Sequence, residues 1–218
     1  MEDKGSQYFS LGLSCQTAHQ VRRIFNQERA GYFDWLITPT YSLVELLEKN
    51  FSSLDFPSFK AYYQGSRRDS VLEENSGIFF HHDFPRTNAN GEVLSDFIIG
   101  QDNVLSKYNF LRERFENFCS SEGDKTFVLS NMQKNLAGYL RGKNFSEVFG
   151  LADELLVRLH TLLQFKCKGE VRLLCLRREP YEFSGSEKII VLPNQKVANL
   201  WQGDDSDWDC AFRDHRKL

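Results

Sequence analysis

Short apolar runs alternate along this chain with longer stretches of helical spacing, and that alternation narrows the fold more than any other feature. The runs YFSLGL (8–13), IFFHHDF (78–84), TFVLSN (126–131), VRLLCLRR (171–178) and KIIVLP (188–193) read as strands. Between them lie helical patterns. Ala18, Val21 and Phe25 follow Cys15 at helical spacing up to Gly31. Leu43, Leu46 and Leu47 mark a helix over 42–49, and Leu105, Phe110 or Leu111, and Phe115 mark another over 102–118. Val148, Leu151, Leu155, Leu159 and Leu162 predict the strongest helix, over 145–165. Strands joined by helices of this length need crossover connections. The expected fold is therefore α/β: a single domain over 1–218 with a mainly parallel sheet flanked by helices. A papain-like α+β arrangement is the alternative.

Two regions fit the alternation poorly. Residues 51–76 read as a loop with one short strand, FKAYYQ (59–64), followed by a polar surface tract, GSRRDSVLEENSG (65–77). PRTNANGEV (85–93) is a loop by composition, and no internal repeat is visible.

Composition excludes several function classes. A chain of 218 residues can bury one substantial core, and its 19 phenylalanines predict a core filled by aromatic volume. A net charge of −3 leaves no basic excess to displace counterions, so no nucleic-acid partner is expected. No run is long enough to span a membrane and the start, MEDKGSQ, is polar, which predicts a cytoplasmic protein with no membrane partner. The five cysteines (15, 119, 167, 175 and 210) form no CxxC pair and no zinc-spaced cluster. Reduced thiols and no metal are the expectation.

Sites in open parallel sheets lie beyond the carboxyl ends of the strands. Reading each run to that end gives Cys15, then His82 and Asp83, then Ser130 and Asn131, then Arg177 and Arg178. Cys15 stands out because Gly12 lets the backbone turn and the helix opens at the cysteine. Unpaired N–H groups and the helix dipole there favour thiolate, the nucleophilic form. The competing reading is a small buried hydrophobe, as most free cysteines are.

A cysteine nucleophile needs a base, and the base an orienting acceptor. His82 is the first candidate base, with His81 on the opposite strand face. His19, four residues beyond Cys15, is the rival on the same helical face, unless it is only an exposed helix residue. Asp34, flanked by Phe33 and Trp35, and Asp83 are the candidate acids. Asp204, Asp205 and Asp207 read better as a solvated loop. Gln16, His19, Asn131 and Arg177 are candidate substrate contacts, whereas Arg112 and Arg114 suit a solvated helix face. Trp201 and Trp208 are expected to dock the tail on the core. Ser14 is a weaker nucleophile candidate beside Cys15.

The segments SLGLSCQTAHQVRR, GYFDWLITP, FFHHDF, NFLRERFENF and WQGDDSDWD resemble, in that order, a bacterial family of papain-like cysteine peptidases, otherwise a domain of unknown function. The resemblance runs from residue 8 to residue 212. It implies a Cys-His pair, which falls here on Cys15 and His82, with Asp34 and Asp83 as the matched acids. Ser130 and Asn131 stand where the family tends to have an arginine. The opening is also distantly similar to capsule-polysaccharide acyltransferases that bind coenzyme A and begin Gly-Asn-Cys-Gln; Leu13-Ser14-Cys15-Gln16 matches in part.

Two classes of function follow. In the first, Cys15 attacks a peptide, ester or thioester carbonyl, His82 takes and returns the proton, and helix-start N–H groups near Cys15 and Gln16 hold the oxyanion. Such a hydrolase or acyltransferase needs no cofactor beyond coenzyme A in the acyl-transfer case. In the second, the same cleft is a non-catalytic module for a carbohydrate or nucleotide-like ligand. A serine-type hydrolase on Ser14 is a weaker third.

Overall fold

The computed structural model describes residues 7–26, 28–87, 91–178, 183, 186–192 and 200–215. The polar start, the middle of the 85–93 loop and much of the tail's first half lie outside the described residues. In chain order the elements are β1 (Gln7–Ser10), α1 (Cys15–Phe25), β2 (Leu36–Ile37), α2 (Thr40–Glu48), β3 (Phe59–Gln64), β4 (Arg67–Glu73) and β5 (Ile78–Phe80). There follow α3 (Gln101–Ser120), β6 (Lys125–Ser130), α4 (Phe145–Phe149), α5 (Asp153–Lys166), β7 (Val171–Leu176), β8 (Ile189–Leu192) and α6 (Asp205–His215). No helix among the described residues is long and apolar enough to cross a membrane.

The strands form two sheets. One is parallel throughout, in the order β1-β6-β7-β8. Its central strands β6 and β7 are buried on both faces, which is why they read as continuous apolar runs. Alternate residues serve opposite layers. Phe127, Leu129, Leu173 and Cys175 join the main core with Leu111 and Phe115 of α3 and with Leu156, Leu159 and Leu163 of α5. Val128, Leu174 and Leu176 join Val21 of α1 and Trp208 and Phe212 of α6 on the other side. Helices thus cover both faces of a single α/β domain, as the alternation predicts. The phenylalanine content is spent in the main core, where Phe9 meets Phe115, Phe118 and Phe127 at ring separations of 5.4, 4.9 and 6.0 Å.

The second sheet is antiparallel, in the order β2-β5-β4-β3. It corrects two expectations. IFFHHDF contributes its strand here and not to the parallel sheet, so His82 and Asp83 do not emerge on the same sheet edge as Cys15. The tract 65–77 is not surface structure either: β4 is an interior strand whose last residues, Ser70 to Glu73, are buried. Two of its polar side chains, Asp69 and Glu73, are tolerated inside because partners satisfy them. The Glu73 carboxylate accepts from Ser58 N (2.9 Å), Asn75 N (3.2 Å), Ser76 N (2.7 Å) and Ser76 Oγ (2.7 Å).

The helical pattern over 145–165 also breaks in two. α4 begins with a capping box between Asn144 and Glu147 and ends at Gly150, where a Cβ would lie 2.2 Å from Ser146 O. In α3 the inward residues are Val104, Tyr108, Leu111 and Phe115, while Phe110 is exposed. In the tail Trp208 is buried as expected, and Trp201 is largely exposed.

Candidate active site

Cys15 sits where β1 gives way to α1, and the connecting turn is held firmly. Gly12 and Leu13 both take positive φ, 74° and 64°. The second is costly for a residue with a Cβ, by roughly 1–2 kcal/mol. The turn is pinned by Gly12 N donating to Ser10 Oγ (3.1 Å), Thr17 Oγ1 donating to Gly12 O (2.8 Å) and Thr38 N donating to Leu13 O (3.2 Å). Ser14 is then extended and α1 starts at the cysteine.

The thiol donates to Gln133 Oε1 at 3.5 Å, and the same oxygen accepts from Gln16 N at 3.0 Å. A backbone N–H must meet an acceptor, so the Gln133 carbonyl oxygen faces α1 and its Nε2 points elsewhere. Gln133 follows β6, and its loop is clamped from β7: Arg178 donates to Gln133 O (2.5 Å) and Asn131 O (2.9 Å) and lies 4.2 Å over the Phe145 ring. Burial pushes the Cys15 pKa up; Gln133 and the N–H groups of Cys15 and Gln16 pull it down without overcoming the burial. Ser14 Oγ and Gln16 Oε1 are buried beside it without a hydrogen-bond partner among the described residues.

A second polar cluster stands at the end of β5. His81 Nδ1 lies 3.3 Å from Asp69 Oδ2 and 3.0 Å from Tyr139 OH, and Tyr139 OH donates to the same Asp69 oxygen at 2.5 Å. With the phenol O–H donating to the carboxylate, the network puts the neutral ring's proton on Nδ1 and leaves Nε2 as the basic atom. Bonding from His81 and Tyr139 holds the Asp69 pKa below its usual value despite burial. Gln133 and Tyr139 bracket one 3-10 segment, Lys134–Tyr139, so one short element supports both the thiol and the His81–Asp69 pair.

The other candidates divide between the two clusters and the scaffold. His82 packs edge-on to Trp35 (5.7 Å) and His81 (4.6 Å). Asp34 is buried and ion-paired to Arg22 Nη2 at 2.5 Å, and it also accepts from Gly31 N at 2.6 Å. Burial nonetheless leaves its pKa raised. Asp83 accepts from Lys107 and from Tyr108 OH at 3.1 Å. Both acids are thus engaged with partners other than a histidine. His19 packs on Trp201 at 5.2 Å, and no histidine among the described residues hydrogen-bonds to Cys15. Gln16 Nε2 donates to Trp201 O at 3.2 Å. Asn131 Nδ2 donates to Phe149 O (3.1 Å) and Arg177 to Leu151 O (3.2 Å), which ties the α4–α5 region to the sheet. Ser130 Oγ accepts from Met132 N, and Asp205 accepts from Gln20 at 2.8 Å.

A family model described as "Putative papain-like cysteine peptidase (DUF1796)" matches residues 6–169. The chain belongs to this family. No curated protein and no solved structure matches it. The matched region contains Cys15, Gln133, Asp69, His81 and Tyr139, and it stops short of β7, Arg178 and α6.

Three residues escaped the sequence reading: Gln133, Asp69 and Tyr139. The carboxyl-edge rule applied three residues past Ser130 would have reached Gln133. Asp69 was hidden in a tract that looked solvated, and nothing local marks Tyr139.

Burial, with His81 and Arg86 adding to it, lowers the His82 pKa to about 4 from 6.5. The unfolded chain therefore takes the proton first as pH falls. His82 contributes stability that is full above pH 6.5 and is lost between 6.5 and 4. His82 is nonetheless an exposed residue, so solvent screening limits this to no more than ~1 kcal/mol. Urea unfolding at pH 4.5 and 7 is expected to show a smaller difference in His82→Gln than in wild type; an unchanged difference refutes the assignment.

Proposed function

We propose that the chain is a cysteine-dependent acyl-transfer enzyme, a hydrolase or an acyltransferase, in which Cys15 attacks a peptide, ester or thioester carbonyl. The observation that carries this reading is the sulfur at the start of α1, where the N–H groups of Cys15 and Gln16 act to favour its anion. Attack forms an S–C bond and an oxyanion, and the leaving group departs with a proton. In this scheme the Cys15 N–H and the Gln133 side-chain amide are the donors that meet that oxyanion, since Gln133 lies against both the thiol and the helix start. For the base, the arrangement favours His81 over His82, because Asp69 and Tyr139 orient its ring. Neither ring bonds the thiol in this structure, so proton transfer in this scheme runs through water or a substrate atom. Asp34 and Asp83 then act as supports for Arg22 and Lys107, outside the chemistry.

The test is alkylation by iodoacetamide across pH, followed by peptide mapping. Cys15 should react faster than the exposed Cys210, Cys15→Ala should lose that label, and His81→Ala should slow it at least ~10-fold. Cys15 reacting no faster than Cys210 overturns the nucleophile. An unchanged rate in His81→Ala overturns the base.

A second reading has one observation in its favour: burial raises the thiol's pKa and no imidazole bonds it. In that reading the site binds a carbohydrate or nucleotide-like ligand without catalysis. Thermal-shift titration with coenzyme A bears on both, since an acyltransferase or a nucleotide site gains stability from it and a hydrolase does not.

A further inference from the structure

Two of the remaining cysteines lie at the opposite, amino-terminal edge of the parallel sheet. Cys119 is buried in the last turn of α3, and half-buried Cys167 closes α5. Lys168 N donates to Cys119 O at 2.9 Å, so the two backbones run one hydrogen bond apart. That spacing brings the Cα atoms near the roughly 4–7 Å span of a disulfide. The turns that follow the two helices are packed backbone to backbone, since a Cβ on Gly169 would lie 2.5 Å from Gly123 O.

Lys125, the first residue of β6, is fully buried beneath these turns. Its Nζ donates to Ser121 O (2.6 Å), Gly123 O (2.7 Å) and Lys168 O (2.9 Å), a carbonyl cage with no carboxylate among the described residues. A buried ammonium caged only by neutral oxygens keeps its positive field for nearby groups. The Cys119 and Cys167 side chains interact thiol to thiol within that field. Donation from Cys119 lowers the Cys167 pKa, Lys125 and Lys166 lower it further, and burial opposes them; Cys119 moves the other way. The pair is therefore asymmetric, with an accessible thiolate-forming sulfur beside a protected thiol.

We propose that Cys119 and Cys167 are a reversible dithiol–disulfide couple, a modification site for a peroxide-class oxidant. The Cys167 thiolate attacks a peroxide oxygen, the O–O bond breaks, and hydroxide leaves to be protonated to water. Cys167 is then a sulfenic acid. The Cys119 sulfur attacks that sulfur, the S–O bond breaks, a second water leaves and the S–S bond forms. Two thiols give up two electrons and hydrogen peroxide is reduced to two waters. A small-molecule thiol reverses the step by exchange. The bond would staple the end of α3 to the end of α5 beside the start of β6, while lying a strand length, about 17 Å, from the Cys15 edge.

The test is brief treatment of the full chain with hydrogen peroxide, blocking of thiols under denaturing conditions, and non-reducing peptide mapping. The expected product is a Cys119–Cys167 linked peptide lacking two hydrogens, restored by dithiothreitol, with a higher unfolding temperature while oxidised. In Cys167→Ser, whose substitution lies at a half-buried site, Cys119 should remain a blockable thiol. The proposal is overturned if both cysteines stay blockable in the treated wild type. It is equally overturned if Cys167 ends as sulfinic acid with Cys119 still a thiol, or if either links to Cys15 or Cys210.

Discussion

Glu73→Ala is expected to destabilise the protein by about 3–5 kcal/mol, read as a lower midpoint in urea unfolding. Glu73 is fully buried at the end of β4, and its carboxylate is the acceptor for three backbone N–H groups and one hydroxyl. Those donors come from both flanks of the antiparallel sheet. Ser58 precedes β3, while Asn75 and Ser76 form the turn into β5. Alanine leaves the buried Ser76 N–H and the N–H groups of the exposed residues Ser58 and Asn75 without this acceptor, and removes the side chain that fixes both connections at once. Ser76→Ala is the control, because it deletes only the hydroxyl and keeps the Ser76 N–H bond; about 1 kcal/mol is expected. A Glu73→Ala loss no larger than the control's would show that water replaces the carboxylate and that the buried network does not hold the sheet.

That network also explains why the second sheet was hard to read. β6, β7 and β8 announce themselves because a parallel strand covered on both faces must be apolar throughout, and α1 and α3 because one helical stripe meets the core. β4 has neither signature. Asp69 and Glu73 occupy buried positions only because His81, Tyr139 and Ser58 satisfy them from elsewhere in the chain. A local window sees polar residues and infers water. The break between α4 and α5 failed for the converse reason, since Leu151 keeps the helical spacing while Gly150 leaves it. At the site, Cys15 was legible because a strand, a glycine turn and a helix start are all local. The burial of Asp34 was legible from Phe33 and Trp35, but its partner Arg22 was not. The histidine question depended on which sheet IFFHHDF joins, and only long-range pairing decides that.

Gly12→Ala is expected to cost ~2–4 kcal/mol and to reduce Cys15 reactivity together with stability. Gly12 has φ +74°, and a Cβ there would sit 2.8 Å from Phe33 O and 3.1 Å from Phe33 Cβ. Phe33 is fully buried and belongs to the main core with Leu13, so neither side of that contact can give way easily. The backbone must shift, and the shift passes through Leu13 and Ser14 to the cysteine three residues further on. Leu13 already holds a positive φ, so the turn has little slack left to absorb it. Gln133, whose side-chain oxygen accepts from Cys15 and Gln16, has its backbone carbonyl held by Arg178 from the end of β7, so it does not follow the displaced helix start. Alkylation of Cys15 measured at a temperature where the variant is folded separates the two effects. If the variant is destabilised but Cys15 reacts at the wild-type rate, the turn serves folding alone and the placement of the sulfur does not depend on it.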